Sequence, residues 1–125
     1  MSNAAWLAFL AAAAIGAPLR YLIDGIVQAH TKGVFPWGTF VVNISGCFMM
    51  GILTGLALYH DLAITSRTVL GSGGIGAYTT FSTFTFETVR LAEEGAVNEA
   101  LGNAAASFLV GLAAASAGLA VTAVL

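Results

Sequence analysis

The sequence predicts an all-α integral membrane protein, and three observations carry that reading. Of its 125 residues 58% are hydrophobic and only 8% are charged, whereas soluble domains carry about a quarter charged residues. The apolar residues gather into four stretches, roughly 4–29, 35–59, 67–92 and 100–124, each meeting the ~20 residues that a spanning helix needs. Polar, turn-forming joints separate them. The expectation is a single four-helix membrane domain over residues 1–125. A net charge of −2 gives no electrostatic reason to expect nucleic acid or an anionic lipid surface as a partner.

The first stretch opens "MSNAAWLAFLAAAAIGAPLR". It lacks a basic n-region and its apolar run continues past any cleavage point, so it reads as a retained helix and not as a signal peptide. His30-Thr31-Lys32-Gly33 forms a polar turn. Pro36 then opens the second stretch, because a first helical turn tolerates a missing N–H. His60-Asp61 closes the second stretch and Glu93-Glu94-Gly95 the third, leaving both histidines at joints, as solvated or headgroup-level residues. The single cysteine, Cys47, has no disulfide partner in the chain and reads as a small buried hydrophobe.

The third stretch carries Gly71, Gly73, Gly74 and Gly76, each weakening a helix by ~1 kcal/mol relative to alanine. A helix break is expected there, which at membrane depth must be covered by protein or line a cavity. The fourth stretch is rich in Ala, Gly and Ser, and the second contains "GILTG" (Gly51–Gly55); both surfaces allow close helix contact. Orientation follows Lys/Arg placement. Lys32 lies at one joint and Arg67 at the opposite one, with Arg20 and Arg90 counting on the Lys32 side. So weak a bias permits insertion both ways, and hence an antiparallel homodimer.

Polar residues inside a membrane are costly and need partners or water. Arg20 and Asp24, at i,i+4, share a helix face as an ion pair or as a cationic collar. Thr39 and Asn43 likewise share a face, where the Asn43 amide either ties two helices or offers N–H donors to an anion. Phe81 and Phe84 are three apart, as are Ser82 and Thr85, and Thr80 and Thr83. Phenyl edges are electropositive and can meet an anion without a full charge that would trap it; ordinary core packing is the other reading of such a pair. Glu87 and Arg90 have the spacing of a further ion pair. No nucleophile–base pair, metal cluster or phosphate loop stands out, so no enzyme is expected.

Three motifs, "GAPLRY" (Gly16–Tyr21), "PWGTFVVNISGCFMMG" (Pro36–Gly51) and "GIGAYTTFSTFTFE" (Gly74–Glu87), occur in that order. Together they resemble the Fluc/CrcB fluoride channel family. The resemblance implies a dual-topology, antiparallel homodimer in the bacterial plasma membrane, with two pores that passively export cytoplasmic fluoride. It implies Phe81 and Phe84 as the rings contacting fluoride, Asn43 as the pore amide, and Ser82, Thr83 and Ser107, with Thr39, as pore hydroxyls. Arg20 becomes the vestibule arginine and Glu87 the acidic residue after the break. A structural sodium ion at the dimer centre would be held by backbone carbonyls of Gly76 and Thr79. The fourth stretch fits the resemblance least: registered on Ser107, it places Asn103, Ser107 and Gly111 where some members have tyrosine, serine and serine. The runner-up is a small, dual-topology, proton-coupled multidrug exporter, which wants a carboxylate deep in a helix; Asp24 and Glu87 lie toward the ends of theirs.

Overall fold

The computed structural model describes all residues, 1–125, and its regular structure is all helix. Helix α1 spans Asn3–His30, with the Ser2 hydroxyl accepting the Ala5 N–H at 3.2 Å as its N-cap. Helix α2 spans Trp37–Tyr59, starting directly after Pro36. A short α3, Ile64–Arg67, runs into a π-helical segment, Thr68–Ile75, and then one turn of α4, Gly76–Tyr78. Helix α5 covers Phe81–Glu93 and α6 covers Val97–Ala123.

Three helices, α1, α2 and α6, are long and apolar enough to cross a membrane, with mean hydropathies of 1.6, 1.9 and 1.9. Large apolar side chains such as Leu7, Ile15, Leu101 and Leu109 are exposed along them. In water such surfaces would be ruinous, but in lipid they are the solvent-matched face. The stretch expected as one span over 67–92 is instead assembled from pieces between Ile64 and Glu93.

The glycine run does not break the helix, contrary to the expectation from its composition. Gly71–Gly76 stays wound, mostly as π-helix, and the non-helical residues are Thr79 and Thr80. Close packing on α1 accounts for the glycines. A Cβ on Gly73 would sit 3.0 Å from the Phe9 carbonyl oxygen, and one on Gly16 would overlap the Gly74 carbonyl. The glycines therefore let two backbones touch while their hydrogen bonds stay largely made. Pi-helical turns are rare and often sit beside functional sites.

The "GILTG" face is used within the chain. Cβ atoms are absent where Gly51 meets the Ala115 carbonyl and where Gly55 meets Thr122; Gly118 of α6 lies against Phe48, Gly51 and Ile52 of α2. This face is therefore not left free for a partner. A Cβ on Gly118 would meet the α2 backbone, including the Ile52 nitrogen at 2.8 Å, and backbone cannot swing aside. Gly118→Val is expected to destabilise the protein by about 1–3 kcal/mol, read as a lower thermal midpoint in detergent. Beyond these contacts, the His60 imidazole Nε2 lies 2.8 Å from the Thr122 carbonyl oxygen and so ties the end of α2 to the end of α6.

Candidate functional site

The break at Thr79–Thr80 is built around one side chain. Asn43 Nδ2 donates to the Thr80 carbonyl at 2.8 Å, and the Thr80 N–H donates to Asn43 Oδ1, also at 2.8 Å. A side-chain amide has the donor and acceptor of a peptide group, so Asn43 replaces the helical partners that Thr80 has lost. The Thr80 hydroxyl then caps α5, accepting the Thr83 N–H at 3.2 Å. On the other side of the break, the buried Tyr78 hydroxyl lies 2.8 Å from Ser45 Oγ. Because the Ser45 hydrogen goes to the Val42 carbonyl, Tyr78 is the donor in that pair.

Two cavities flank the break. The first, of about 430 Å3, is lined by Asn43, Thr80, Phe81, Phe84 and Ser107 among others. Its Phe81 and Phe84 rings lie 5.9 Å apart with planes tilted by 44°. The Phe81 side is open, that residue being 79% exposed. The second cavity, of about 170 Å3, has Arg20, Asp24, Thr39, Thr80 and Thr83 in its wall. Thr80 borders both cavities.

Most of the residues singled out from the sequence fall into two groups. Asn43, Phe81, Phe84 and Ser107 come together in the first cavity, while Thr39, Thr83 and Arg20 meet in the second. Ser82 is exposed and borders neither cavity, touching only the Thr80 hydroxyl at 3.4 Å. Arg20 and Asp24 share a wall without forming an ion pair; Arg20 Nη1 instead donates to the Thr79 carbonyl at 3.4 Å. The expected Glu87–Arg90 pair does not form either. Arg90 pairs with Glu94 at 2.7 Å on the exposed end of α5, and Glu87 Oε1 accepts the Thr39 hydroxyl at 3.0 Å. Glu87 Oε2 is buried and accepts no hydrogen bond within the chain.

Most hydroxyls around the break already spend their hydrogens within the chain. Thr85 and Thr88 return their hydrogens to the Phe81 and Phe84 carbonyls, at 2.9 and 2.8 Å. Thr39 gives its hydrogen to Glu87, and Thr80 gives its own to Thr83 at 3.0 Å. The Thr83 hydrogen has no acceptor in the chain, and Asn43 retains one of its two amide hydrogens. These two donors face opposite sides of the break.

Tyr78, Ser45, Thr88 and Asn103 were not among the site residues expected from sequence. Only Asn103 left a usable signal, as an amide inside an Ala-rich stretch one turn before Ser107.

Residues 7–119 match the family described as CrcB-like protein, Camphor Resistance (CrcB). The chain is 49% identical to a "Fluoride-specific ion channel FluC 1" of Streptomyces avermitilis, across 91% of this chain and 92% of the relative. It is 45% identical to a protein of the same name from Frankia casuarinae, across 92% and 93%. With "Fluoride-specific ion channel FluC 2" of Mycobacterium bovis the identity is 44%, across 94% and 90%. These relatives are bacterial, and with three membrane-length apolar helices the chain is a multi-pass protein of the bacterial plasma membrane. Covered by the family match over nearly its whole length, the chain belongs to the CrcB family.

Proposed function

We propose that the protein is a fluoride-selective channel that lets cytoplasmic fluoride leave the cell passively. Near-end-to-end similarity to proteins named as fluoride-specific ion channels carries this reading. Family membership also sets aside the multidrug exporter. The protein is a channel and not an enzyme.

The pore runs past the Thr79–Thr80 break. Arg20 draws anions into the second cavity, where Thr83 supplies a hydroxyl hydrogen and Thr39, its own hydrogen held by Glu87, lines the wall, and Asn43, Phe81, Phe84 and Ser107 line the first. Ser82, on the exposed turn of α5, faces the same path once a second copy covers it. Fluoride is small and strongly hydrated, so neutral N–H and O–H donors must replace its water while ring edges avoid trapping it.

Two copies, inserted antiparallel with four spans each, complete the assembly. The third span is the pieced segment from Ile64 to Glu93. The open first cavity and the exposed Phe81 support this arrangement, because a solitary chain leaves one wall of the path to lipid.

The residues also fit a structural sodium ion at the dimer centre. The Thr80 N–H, which would bond the Gly76 carbonyl in an unbroken helix, goes to Asn43 instead, and Gly76 is exposed. The Thr79 carbonyl takes only a long bond from Arg20. Neutral oxygens suit a hard cation. The Gly76 and Thr79 carbonyls of each copy would hold the ion, which would supply a fixed positive charge.

Purified protein in liposomes loaded with fluoride or chloride tests the function. Rapid fluoride efflux with negligible chloride efflux is expected; no fluoride efflux, or equal leakage of both ions, overturns the reading.

A further inference from the structure

Asn103 lies outside both cavities and is only 1% exposed, making it one of the three largest fully buried side chains in the protein. A buried amide in an apolar helix is costly unless its donor and acceptor are both used. Here they are. Asn103 Nδ2 donates to Thr88 Oγ1 at 2.8 Å, and Asn103 Oδ1 accepts the Ser107 hydroxyl at 3.4 Å. Thr88 in turn donates to the Phe84 carbonyl at 2.8 Å.

The three bonds form one directed chain, Ser107 to Asn103 to Thr88 to the Phe84 carbonyl. Both ends belong to residues that line the first cavity, Ser107 on α6 and Phe84 on α5. Every hydrogen points away from Ser107. Its own hydrogen is therefore committed to Asn103 and its lone pairs are left for the cavity, the wrong polarity to receive an anion. Yet the Ser107–Asn103 link is the longest of the three, and hydrogen bonds weaken with length.

We propose that Asn103 is a positioning residue that parks the Ser107 hydrogen. When an anion enters the cavity, the Ser107 O–H turns from Asn103 Oδ1 to the anion, and it returns when the anion leaves. The two 2.8 Å bonds beyond hold Asn103 still, so the exchange involves only the weakest link. An acceptor waiting for the returning hydrogen keeps Ser107 from holding the anion too firmly, which conduction requires. Binding and release at Ser107 are thereby nearly balanced. This inference rests on the anion-channel reading above.

The test is a double-mutant cycle on fluoride efflux per reconstituted protein. Asn103→Leu keeps the branched shape and heavy-atom count and removes the acceptor. It is expected to slow efflux about fivefold with Ser107 present, the scale of one neutral hydrogen bond, and less than about twofold in a Ser107→Ala background. A purely structural Asn103 predicts the same fold-loss in both backgrounds, and that result overturns the proposal. If Asn103→Leu does not fold, Thr88→Val carries the same cycle by freeing Asn103 from its tether. Equal losses for Thr88→Val with and without Ser107 are equally fatal. Absence of fluoride efflux from the unmodified protein would instead sink the channel reading.

Discussion

Asn43→Leu is expected to cost the protein both its stability and its fluoride flux. The Asn43 amide makes two 2.8 Å bonds to the backbone of Thr80. Leucine matches its branched shape but can make neither, so it leaves one N–H and one C=O without a partner. Each group orphaned at this half-buried break costs about 1–3 kcal/mol. The combined penalty is a large share of the 5–15 kcal/mol by which typical domains are stable. The expected observations are a sharply lower thermal midpoint in detergent and no measurable efflux from liposomes. Asn43→Asp, which keeps an acceptor for the Thr80 N–H, should retain more stability than Asn43→Leu. If the two variants melt alike, the bonds at the break are not what holds it.

The second large effect falls on the rings. Phe81→Ile and Phe84→Ile are each expected to lower fluoride efflux by more than about tenfold, since an aliphatic side chain has no electropositive edge to present. They should differ in stability. Phe81 is 79% exposed, so its replacement removes little packing within the chain, and normal melting with lost flux would isolate the ring's part in conduction. Phe84 is half-buried beside α6 and should lose some stability as well. Intact flux in both variants would remove the ring edges from the mechanism.

The hydrogen-bond chain through Asn103 gives the fourth-helix departure a physical sense. The Asn103 amide does not line the cavity. It acts on Ser107 from behind, and it ties α6 to α5 across the buried seam.

Much of this protein is legible from its residues alone. Apolar length announced the membrane helices, Pro36 and the polar joints marked where they stop, and helical spacing put Thr39 with Asn43 and Phe81 with Phe84 on shared faces. Those features depend on neighbours in the chain, which periodicity reports directly. Partner choice does not. Spacing suggested Arg20 with Asp24 and Glu87 with Arg90, whereas Arg20 reaches the Thr79 carbonyl and Glu87 takes the Thr39 hydroxyl, both across helices. Spacing also put Thr39 on the face of Asn43, yet Thr39 looks into a different cavity, because a single face of α2 passes both sides of the break. The break itself is the sharpest case. Glycine propensity placed it at Gly71–Gly76, but contact with α1 keeps those glycines wound, and the chain opens at Thr79–Thr80. It opens there because a helix yields where another element supplies the hydrogen bonds it gives up. That supplier is Asn43, 37 residues away in sequence, and only the packed structure could name it.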